Sequence, residues 1–590
     1  MDKGGITMRM AKTTDSQESQ SKLPKENEVA KEKETPKKLS RREFVKGAAA
    51  VAGAGALASC APAATPTTAP EAAPTCPPAA ECAPCAVSGV PDKWDKEADV
   101  IVVGTGTGTV AAVAAVDAGA SVILMDQGKD FGGNTVICGG IVLDSGGGTP
   151  SQIRTGVADT PDEFFARMSD SRVRDRRKSD LELLRAYCYQ FPVVAAWLED
   201  HGVQYTDAFM DLPMGVINNN AVAVCEGYQY DQPTVFNPLQ PEGPYRAGAG
   251  LVYPLKDYAE KNGVEILLEH KMTHLVRESG SSGRVLGVEV ETAGGTSYFK
   301  ARKGVILATG SYKGGKFLRQ VYDPRMTPDL VGSGEPFVYC DGSGILAGLE
   351  VGGVLTGHEQ FWHLWHRHFG SLYHRFPLGS PYAVPGLGIS GGKLADVIFV
   401  NSSGERFVSE AASEADVVEG SFYDYALPQE DHIIWSIFDD AAAQKNEWNL
   451  EPQTPPVVEQ DLVFSADTLA DLADAIGVPA DSLSATVSNY NTYVAAGSDP
   501  DFGKPEDLLT SKIETPPFHA VWVSIQVHDT MSGLAINADG QVLDIYGQTI
   551  PHLYAHGEAS GGLDVGLGMA HGVVIGKIAG ENAAAEEPLA

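Results

Sequence analysis

The stretch Ala98–Thr135, ADVIVVGTGTGTVAAVAAVDAGASVILMDQGKDFGGNT, decides the fold. Ala98 to Val103 is a short apolar run, the pattern of a buried parallel strand. Gly104, Gly106 and Gly108 follow at once, and Val110 to Ala118 is small and apolar, as a helix packed closely on a sheet must be. Ser121 to Met125 is a second apolar strand that ends on Asp126. Strand, glycine turn, helix, strand and acid, in this order, make a dinucleotide-binding unit. The glycines let the backbone approach a pyrophosphate, whose charge the helix N-terminus favours. An acid about twenty residues on accepts hydrogen bonds from ribose hydroxyls. One position departs from G-x-G-x-x-G, since Thr109 stands where the third glycine belongs. It reads as a tolerated variation in helix–strand packing.

The chain has 590 residues, 43% of them hydrophobic, enough for two or more domains with sizeable cores. Formal net charge is −33. Residues 1–59 carry 12 basic and 8 acidic side chains, so the remainder stands at −37. A body this acidic argues against nucleic acid or an anionic membrane face as a partner. It suits a soluble surface and a basic redox partner.

The N-terminus reads as a targeting segment. Met1 to Lys38 is charged and poor in large apolar residues. Ser40-Arg41-Arg42-Glu43-Phe44-Val45-Lys46 then precedes a mild Ala/Gly/Val run from Gly47 to Ser59 that is too short to span a bilayer. It resembles a twin-arginine signal, S-R-R-x-F-x-K, and Leu57-Ala58-Ser59-Cys60 resembles a lipobox. Residues 1–60 are thus expected to be an export signal with lipidation at Cys60, and 61–95 an Ala/Pro/Thr-rich tether. The expected location is periplasmic or at the cell surface. Cys76, Cys82 and Cys85 lie in the tether; Cys82-Ala83-Pro84-Cys85 is open to a disulfide, to metal binding or to incidental thiols. No His follows Cys85, so this is not a c-type haem site. Cys138, Cys188, Cys225 and Cys340 are scattered and read as buried small hydrophobes.

Further along, Gly132–Asp144, GGNTVICGGIVLD, resembles the flavin-binding loop of the fumarate reductase/succinate dehydrogenase flavoprotein superfamily. That superfamily includes flavocytochrome c fumarate reductases, urocanate reductases and 3-ketosteroid dehydrogenases. The resemblance continues in sequence order. Gly263–Leu268 and His270–Leu275 match the next strand and the adenine-side segment, and Gly304–Gly310, GVILATG, matches a strand ending in A-T-G. Gly342-Ser343-Gly344-Ile345 matches G-D-G-I, with Ser343 in the aspartate's place. Val400–Glu410, VNSSGERFVSE, matches V-N-x-x-G-x-R-F-x-N-E, and Trp435–Asp439 also looks like the family's cap. Val527–Gly533, VHDTMSG, matches V-H-x-T-M-G-G, Gly540–Tyr554 its following hairpin, and Gly557–Gly562, GEASGG, matches G-E-x-x-G-G.

The resemblance implies an α/β fold: a Rossmann-like FAD-binding domain (96–353 and 525–590) with an inserted α+β cap (354–524). It implies FAD contacts from Gly104, Gly106, Gly108, Asp126, Gly132, Gly133, Asn134, Thr135, Gly139, Gly140, Met272, Ala308, Thr309, Gly310, Asp529, Glu558, Gly568 and Met569. No histidine lies between Gly132 and Asp144, where the succinate dehydrogenase branch bonds flavin covalently, so FAD is expected to be non-covalent. Gly566–Glu581 reads as a small-residue helix whose N-terminus faces the flavin pyrimidine.

Family reductases transfer hydride from flavin N5 to an activated C=C while an acid protonates the neighbouring carbon. In the fumarate reductases that acid is an arginine four residues after the R-F-x-N-E glutamate. Here the position holds Glu414. Lys393 roughly matches an arginine of the proton pathway, and His528 matches a substrate-binding histidine. The arginine that clamps a second carboxylate is expected after G-E-x-x-G-G, yet Gly561–Gly572 contains none. A dicarboxylate needs fixed guanidinium forks, so an enoate, enone or aromatic acceptor is expected rather than fumarate. Candidate acids are Glu414 and, by resemblance to ketosteroid dehydrogenases, Tyr382. Phe361–His368, FWHLWHRH, reads as pocket lining or surface rather than a metal site, because its histidines lack ligand spacing. Electrons are expected from a separate membrane-linked donor such as a cytochrome, as no CxxCH motif appears. Two alternatives stay open: a dehydrogenase of a ketosteroid-like substrate, and a flavin electron-transfer lipoprotein.

Overall fold

The computed structural model describes residues 89–590 apart from 139–140, 143–145, 171–178, 206–225, 230–247, 281, 328–329, 333–339, 358–360, 365–394, 411–424, 447, 449, 451–462, 524–525, 531, 566–567 and 590. The export signal, the lipobox and the three tether cysteines lie outside the described residues, as does Cys225.

The apolar run of the opening stretch is strand β1 (Lys96–Val103), and the small-residue run is helix α1 (Gly108–Asp117). Strand β2 (Val122–Met125) lies parallel to β1, with Val100 opposite Val122 and Val103 opposite Met125. Helix α2 (Leu181–Asp200) is capped by Asp180, whose carboxylate accepts from the N–H groups of Glu182 and Leu183. Helix α3 (Ala249–Lys261) leads into β3 (Glu265–Leu267), which pairs parallel with β2. An antiparallel meander follows: β4 (Lys271–Ser279), β5 (Ser282–Thr292) and β6 (Gly295–Leu307). The end of β6 returns to run parallel beside β1, with Ile101 opposite Val305.

After helix α4 (Ser343–Glu350) and strand β7 (Phe361–Leu364), a second sheet is built from β8 (Ile398–Asn401), β9 (Ile434–Asp439) and β10 (Val463–Ala466). Helices α5 (Leu469–Ile476) and α6 (Ala480–Ala496) cover it, and β11 (Phe518–Val523) completes the antiparallel order β8-β9-β11-β10. The Trp435–Asp439 segment singled out in the sequence is the central strand β9. Its odd residues Trp435 and Ile437 pack with Leu472, Leu483, Tyr490 and Ala520, while Ile434 and Phe438 on the other face pack with Val397, Phe399 and Trp448. Apolar residues on both faces mark a strand buried on both sides.

The chain then re-enters the first sheet. Strand β12 (Gln526–Thr530) is the middle of a separate small sheet, between Val331–Gly332 and β7, while β13 (Gln541–Leu543) and β14 (Thr549–Ala555) join the first sheet and give it the order β13-β14-β6-β1-β2-β3. Helix α7 (Gly568–Ala585) lies on α1. α1 buries every residue from Gly108 to Ala115, because it is covered by the sheet on one side and by α7 on the other. Small residues permit this: a Cβ at Gly580 of α7 would stand 2.3 Å from the carbonyl oxygen of Ala111. The α/β architecture with a parallel central sheet agrees with the expectation. None of the described helices is long and apolar enough to cross a membrane.

Candidate functional site

Four chain segments meet at the carboxyl ends of β1, β2 and β6, the place where open α/β sheets bind ligands. The first is the turn after β1. Gly104 has φ +111°, and a Cβ there would lie 2.2 Å from the carbonyl oxygen of Ala308. Only glycine lets the β1 and β6 turns approach so closely. Gly108 has the packing role that the motif assigns to its third glycine: a Cβ on it would meet the Ala308 methyl at 2.9 Å and Val102 at 3.2 Å. Thr109 is accommodated one residue further on. Its buried hydroxyl donates to the Thr105 carbonyl at 2.7 Å. Thr107, the N-cap residue of α1, makes no side-chain cap, and no acid sits in the first turn. Thr109 and Val110 N–H already donate to the Gly106 and Thr107 carbonyls at 3.2 and 3.0 Å, so the end offers an anion its positive dipole and the Thr107 and Gly108 N–H groups.

Asp126 sits at the end of β2. Its Oδ2 accepts from the Thr105 N–H at 2.8 Å and the Thr105 hydroxyl at 2.6 Å, and its Oδ1 accepts from the Gly128 N–H at 2.8 Å. Three of about four lone-pair positions are thereby filled, which leaves one directed contact for a ribose hydroxyl. The Thr105 hydroxyl also accepts from the Gly132 N–H at 3.0 Å, joining the first turn to the second glycine loop. Beside Asp126, His270 N–H donates to the Asp126 carbonyl and Glu269 N–H to that of Gly128. Met272, placed on the adenine side by resemblance, is buried in the main core next to this segment.

The second segment is the loop from Gly132 to Cys138. Gly132 and Gly133 both have positive φ and open a one-turn helix, Gly133–Ile137. Gly106 packs on it, with a Cβ there only 2.8 Å from Thr135 Oγ1. Asn134 Nδ2 donates to Cys340 Sγ at 3.4 Å. Burial pushes the Cys340 thiol up to about 11, so it stays neutral. Cys188 is likewise buried, whereas Cys138 is only half-buried and its thiol contacts Met569 sulfur at 3.7 Å. Gly139 and Gly140 lie outside the described residues.

The third segment is the turn Ala308–Gly310 at the end of β6. Gly310 has φ +75° and abuts Cys340, and Thr309 packs against Gly344 of α4. Thr309 Oγ1 is buried without a hydrogen-bond partner among the described residues. Ser343, in place of the motif's aspartate, opens α4, and its N–H is held by the neighbouring Asp341 carboxylate at 2.9 Å.

The fourth segment runs from β12 to the start of α7. Glu558, in the short 3-10 helix Gly557–Ala559, accepts from the Thr530 N–H at 3.2 Å. Gly533 and Gly561 cross in contact: a Cβ on Gly561 would lie 2.7 Å from the Gly533 nitrogen. The two sequence motifs, VHDTMSG and GEASGG, are therefore one packed unit. Thr530 Oγ1 is buried without a partner among the described residues. His528 and Asp529 lie in strand β12, and Gly568 and Met569 begin α7.

The cap signature does something different. Arg406 donates to Glu410 at 3.1 and 2.8 Å and to Asp499 at 3.0 Å, and Lys504 stands 3.3 Å from Glu410. All four side chains are buried. Burial opposes the charge on Arg406, but Glu410 and Asp499 outweigh it and raise its pKa. The motif's arginine and glutamate therefore brace the cap internally. Glu414, Tyr382 and Lys393 lie outside the described residues, as do His366 and His368. Among the described residues no cluster of three His, Cys, Asp or Glu side chains is arranged to hold a metal.

The FAD binding domain family matches residues 99–568, most of the chain. The chain belongs to that family. It is an FAD-dependent oxidoreductase acting on CH–CH groups. It is 30% identical to the probable fumarate reductase Ifc3 of Shewanella frigidimarina over 82% of this chain and 74% of that protein. It is 28% identical to the digoxin reductase of Eggerthella lenta, covering 93% of this chain and 98% of that one. Among solved structures, an open conformation of a flavocytochrome c3 fumarate reductase superposes with a TM-score of 0.62 at 27% identity, covering 83% of this chain and 78% of that chain. A 3-ketosteroid-Δ4-(5α)-dehydrogenase from Rhodococcus jostii RHA1 superposes with a TM-score of 0.57 at 25% identity, covering 84% and 99%.

FAD fits the residues this oxidoreductase presents. The uncapped α1 N-terminus suits the pyrophosphate, the remaining Asp126 position suits a ribose hydroxyl, and Thr309 and Thr530 offer unmatched hydroxyls nearby. Sequence motifs pointed to the glycines, Asp126 and Glu558. They did not reveal Thr105, whose partners sit in two other motifs, nor Tyr312 and Ser532, discussed below. The only available signal for Ser532 was its departure from the glycine of V-H-x-T-M-G-G.

Proposed function

We propose that this chain is an exported reductase of an activated carbon–carbon double bond in an organic enoate, enone or aromatic acrylate, with FAD held non-covalently. The observation that carries the reading is the packed unit of VHDTMSG on GEASGG, which sets the strand bearing His528 beside Glu558 and the cofactor turns. Relatives named for reducing fumarate, digoxin and urocanate support reduction of a conjugated double bond. The absence of any arginine in Gly561–Gly572, and Glu414 in place of the family's arginine, argue against a dicarboxylate.

Bound FAD supplies a hydride from N5 to one alkene carbon. The protein must hold the acceptor with that carbon at N5 and deliver a proton to its neighbour. His528 is assigned to acceptor binding, Glu414 or Tyr382 to proton delivery, and Lys393 to resupplying the proton. A glutamate serves as acid near neutral pH when burial raises its pKa. The twin-arginine match and Cys60 support export of the folded flavoprotein and a lipid anchor. The lack of a haem motif supports a separate membrane-linked electron donor, and fumarate reductases named as cytochrome enzymes are among the relatives.

Tyr382 and the likeness to a ketosteroid dehydrogenase favour a second reading, oxidation of a cyclic ketone in the reverse direction. Half-reactions separate the two. The protein is purified anaerobically, its flavin reduced, and a panel of enoates, enones and aryl acrylates added. Fast reoxidation by a panel member supports the reductase. Flavin bleaching of the oxidised enzyme by a saturated ketone, with no reoxidation by the panel, overturns it. Free yellow FAD in the supernatant after acid precipitation supports non-covalent binding; retention in the pellet contradicts it.

A further inference from the structure

Ser532 stands where the motif V-H-x-T-M-G-G has a glycine. It is fully buried, and its hydroxyl is hydrogen-bonded to the phenol of Tyr312, which is also fully buried. Tyr312 lies two residues past Gly310, in the continuation of the cofactor turn after β6. Tyr322 stacks on it with ring centroids 5.1 Å apart and planes inclined by 19°. Leu318 and Ile345 pack around Tyr312. There is no slack in this packing, since a Cβ on Gly342 would stand 2.8 Å from the Tyr312 Cβ.

The consequence follows from where the strand is held. Besides its ladders to Val331–Gly332 and to β7, the segment after Val527 is tied at two further points. Thr530 N–H is fixed to Glu558 on the GEASGG side, and Ser532 is fixed to Tyr312 on the A-T-G side. The strand that carries His528 is thus tied, at and just beyond its C-terminal end, to two cofactor-binding turns. Glycine at position 532 would leave the strand ladders and the Thr530 contact but no side-chain tie to the A-T-G side. Serine adds a directional one, and the buried Tyr312 phenol loses that hydrogen bond if the hydroxyl is removed.

We propose that Ser532, through Tyr312, is a positioning residue for the acceptor: it fixes the strand bearing His528 relative to the flavin turn and so sets where the double bond sits. The proposal rests on the reductase reading above for its chemistry. Its mechanical part, the pinning of the strand, stands apart from that reading. The role is specific to a chain with serine and tyrosine at these two positions, and glycine cannot perform it.

The test uses the full-length protein loaded with FAD and the variants Ser532→Ala, Ser532→Gly, Ser532→Thr and Tyr312→Phe. Two readouts are taken: amide hydrogen exchange in peptides covering 526–534, and kcat/KM for the best acceptor. Ser532→Ala, Ser532→Gly and Tyr312→Phe are expected to keep the flavin absorbance of the parent. Their 526–534 amides should exchange about tenfold faster, and kcat/KM should fall by about ten- to a hundredfold through misplacement. Ser532→Thr keeps the hydroxyl but adds a methyl to tight packing, so it should stand closer to the parent than Ser532→Ala in both readouts, and the Ser532→Ala/Tyr312→Phe double variant should be no worse than the worse single one. Parent-like exchange and kcat/KM in Ser532→Ala would overturn the proposal, as would additive losses in the double variant. If the parent turns over no acceptor, the reductase reading fails, and the exchange data still decide whether Ser532 pins the strand.

Discussion

Thr105 and Asp126 are tied by two hydrogen bonds, from the Thr105 N–H at 2.8 Å and its hydroxyl at 2.6 Å, both ending on Asp126 Oδ2. The same hydroxyl accepts from Gly132 N–H. One buried side chain thus locks the first glycine turn, the ribose acid and the second glycine loop together. Thr105→Val keeps the shape and removes the hydroxyl, leaving the Gly132 N–H and one Asp126 lone pair unmet. A loss of about 1–3 kcal/mol is expected, and much of it should appear as weaker FAD binding. Fluorescence titration of the apoprotein with FAD measures it. Parent affinity in this variant would show that Asp126 is oriented by other means.

Two glycines separate crowding from backbone strain. Gly104 and Gly119 both have positive φ, but a Cβ on Gly104 would meet the Ala308 oxygen at 2.2 Å, while nothing lies within 4 Å at Gly119. Gly119→Ala should cost only the left-handed backbone penalty, about 1–2 kcal/mol. Gly104→Ala adds overpacking of about 1–3 kcal/mol or more and should abolish stable FAD binding. Denaturant melts of both, with flavin absorbance, test the difference.

His556 and His571 are fully buried, and burial depresses their pKa values to about 4 and about 3; for His571 the neighbouring His556 adds a smaller effect in the same direction. In the unfolded chain each titrates near 6.5. Between those values the unfolded chain binds more protons than the folded one, so acid favours unfolding. Stability should be flat with respect to these groups above about pH 7 and fall as pH drops from about 6.5 toward 4. Thermal melts across this range should show the slope in the parent and a shallower one in His556→Gln and His571→Gln. An unchanged slope in both variants would contradict the assignment.

The cap network is balanced: Arg406 and Lys504 against Glu410 and Asp499. Glu410→Gln leaves two buried cations facing one carboxylate. Breaking a buried pair from one side costs about 3–5 kcal/mol, so urea unfolding should shift strongly. A surface pair such as Lys93–Asp95, removed by Lys93→Ala, should change almost nothing.

The sequence made the Ala98–Asp126 unit legible because strand, turn, helix and acid are local and periodic. Gly104 and Asp126 stand where the motif predicts. The role of Thr109 was only half visible: its tolerance was foreseen, but the close approach is made at Gly108, which depends on Ala308 some two hundred residues away. The R-F-x-N-E match located Arg406 and Glu410. It could not show that Asp499 and Lys504 complete a buried network with them, since that pairing arises only when the cap folds. Ser532 carries no meaning in the sequence alone, because its partner Tyr312 lies 220 residues away and meets it only in the fold. The catalytic assignments to Glu414, Tyr382 and Lys393 rest on the sequence alone.

The central claim is that this site reduces a conjugated double bond and disfavours a dicarboxylate. The most direct measurement is stopped-flow reoxidation of the reduced enzyme, with fumarate and the best enone or aryl acrylate compared on the same preparation. The account predicts a second-order rate constant for the monocarboxylate or neutral acceptor at least about a hundredfold above that for fumarate, the discrimination expected when fixed cationic partners are missing. Fumarate reoxidising the flavin as fast or faster would contradict it.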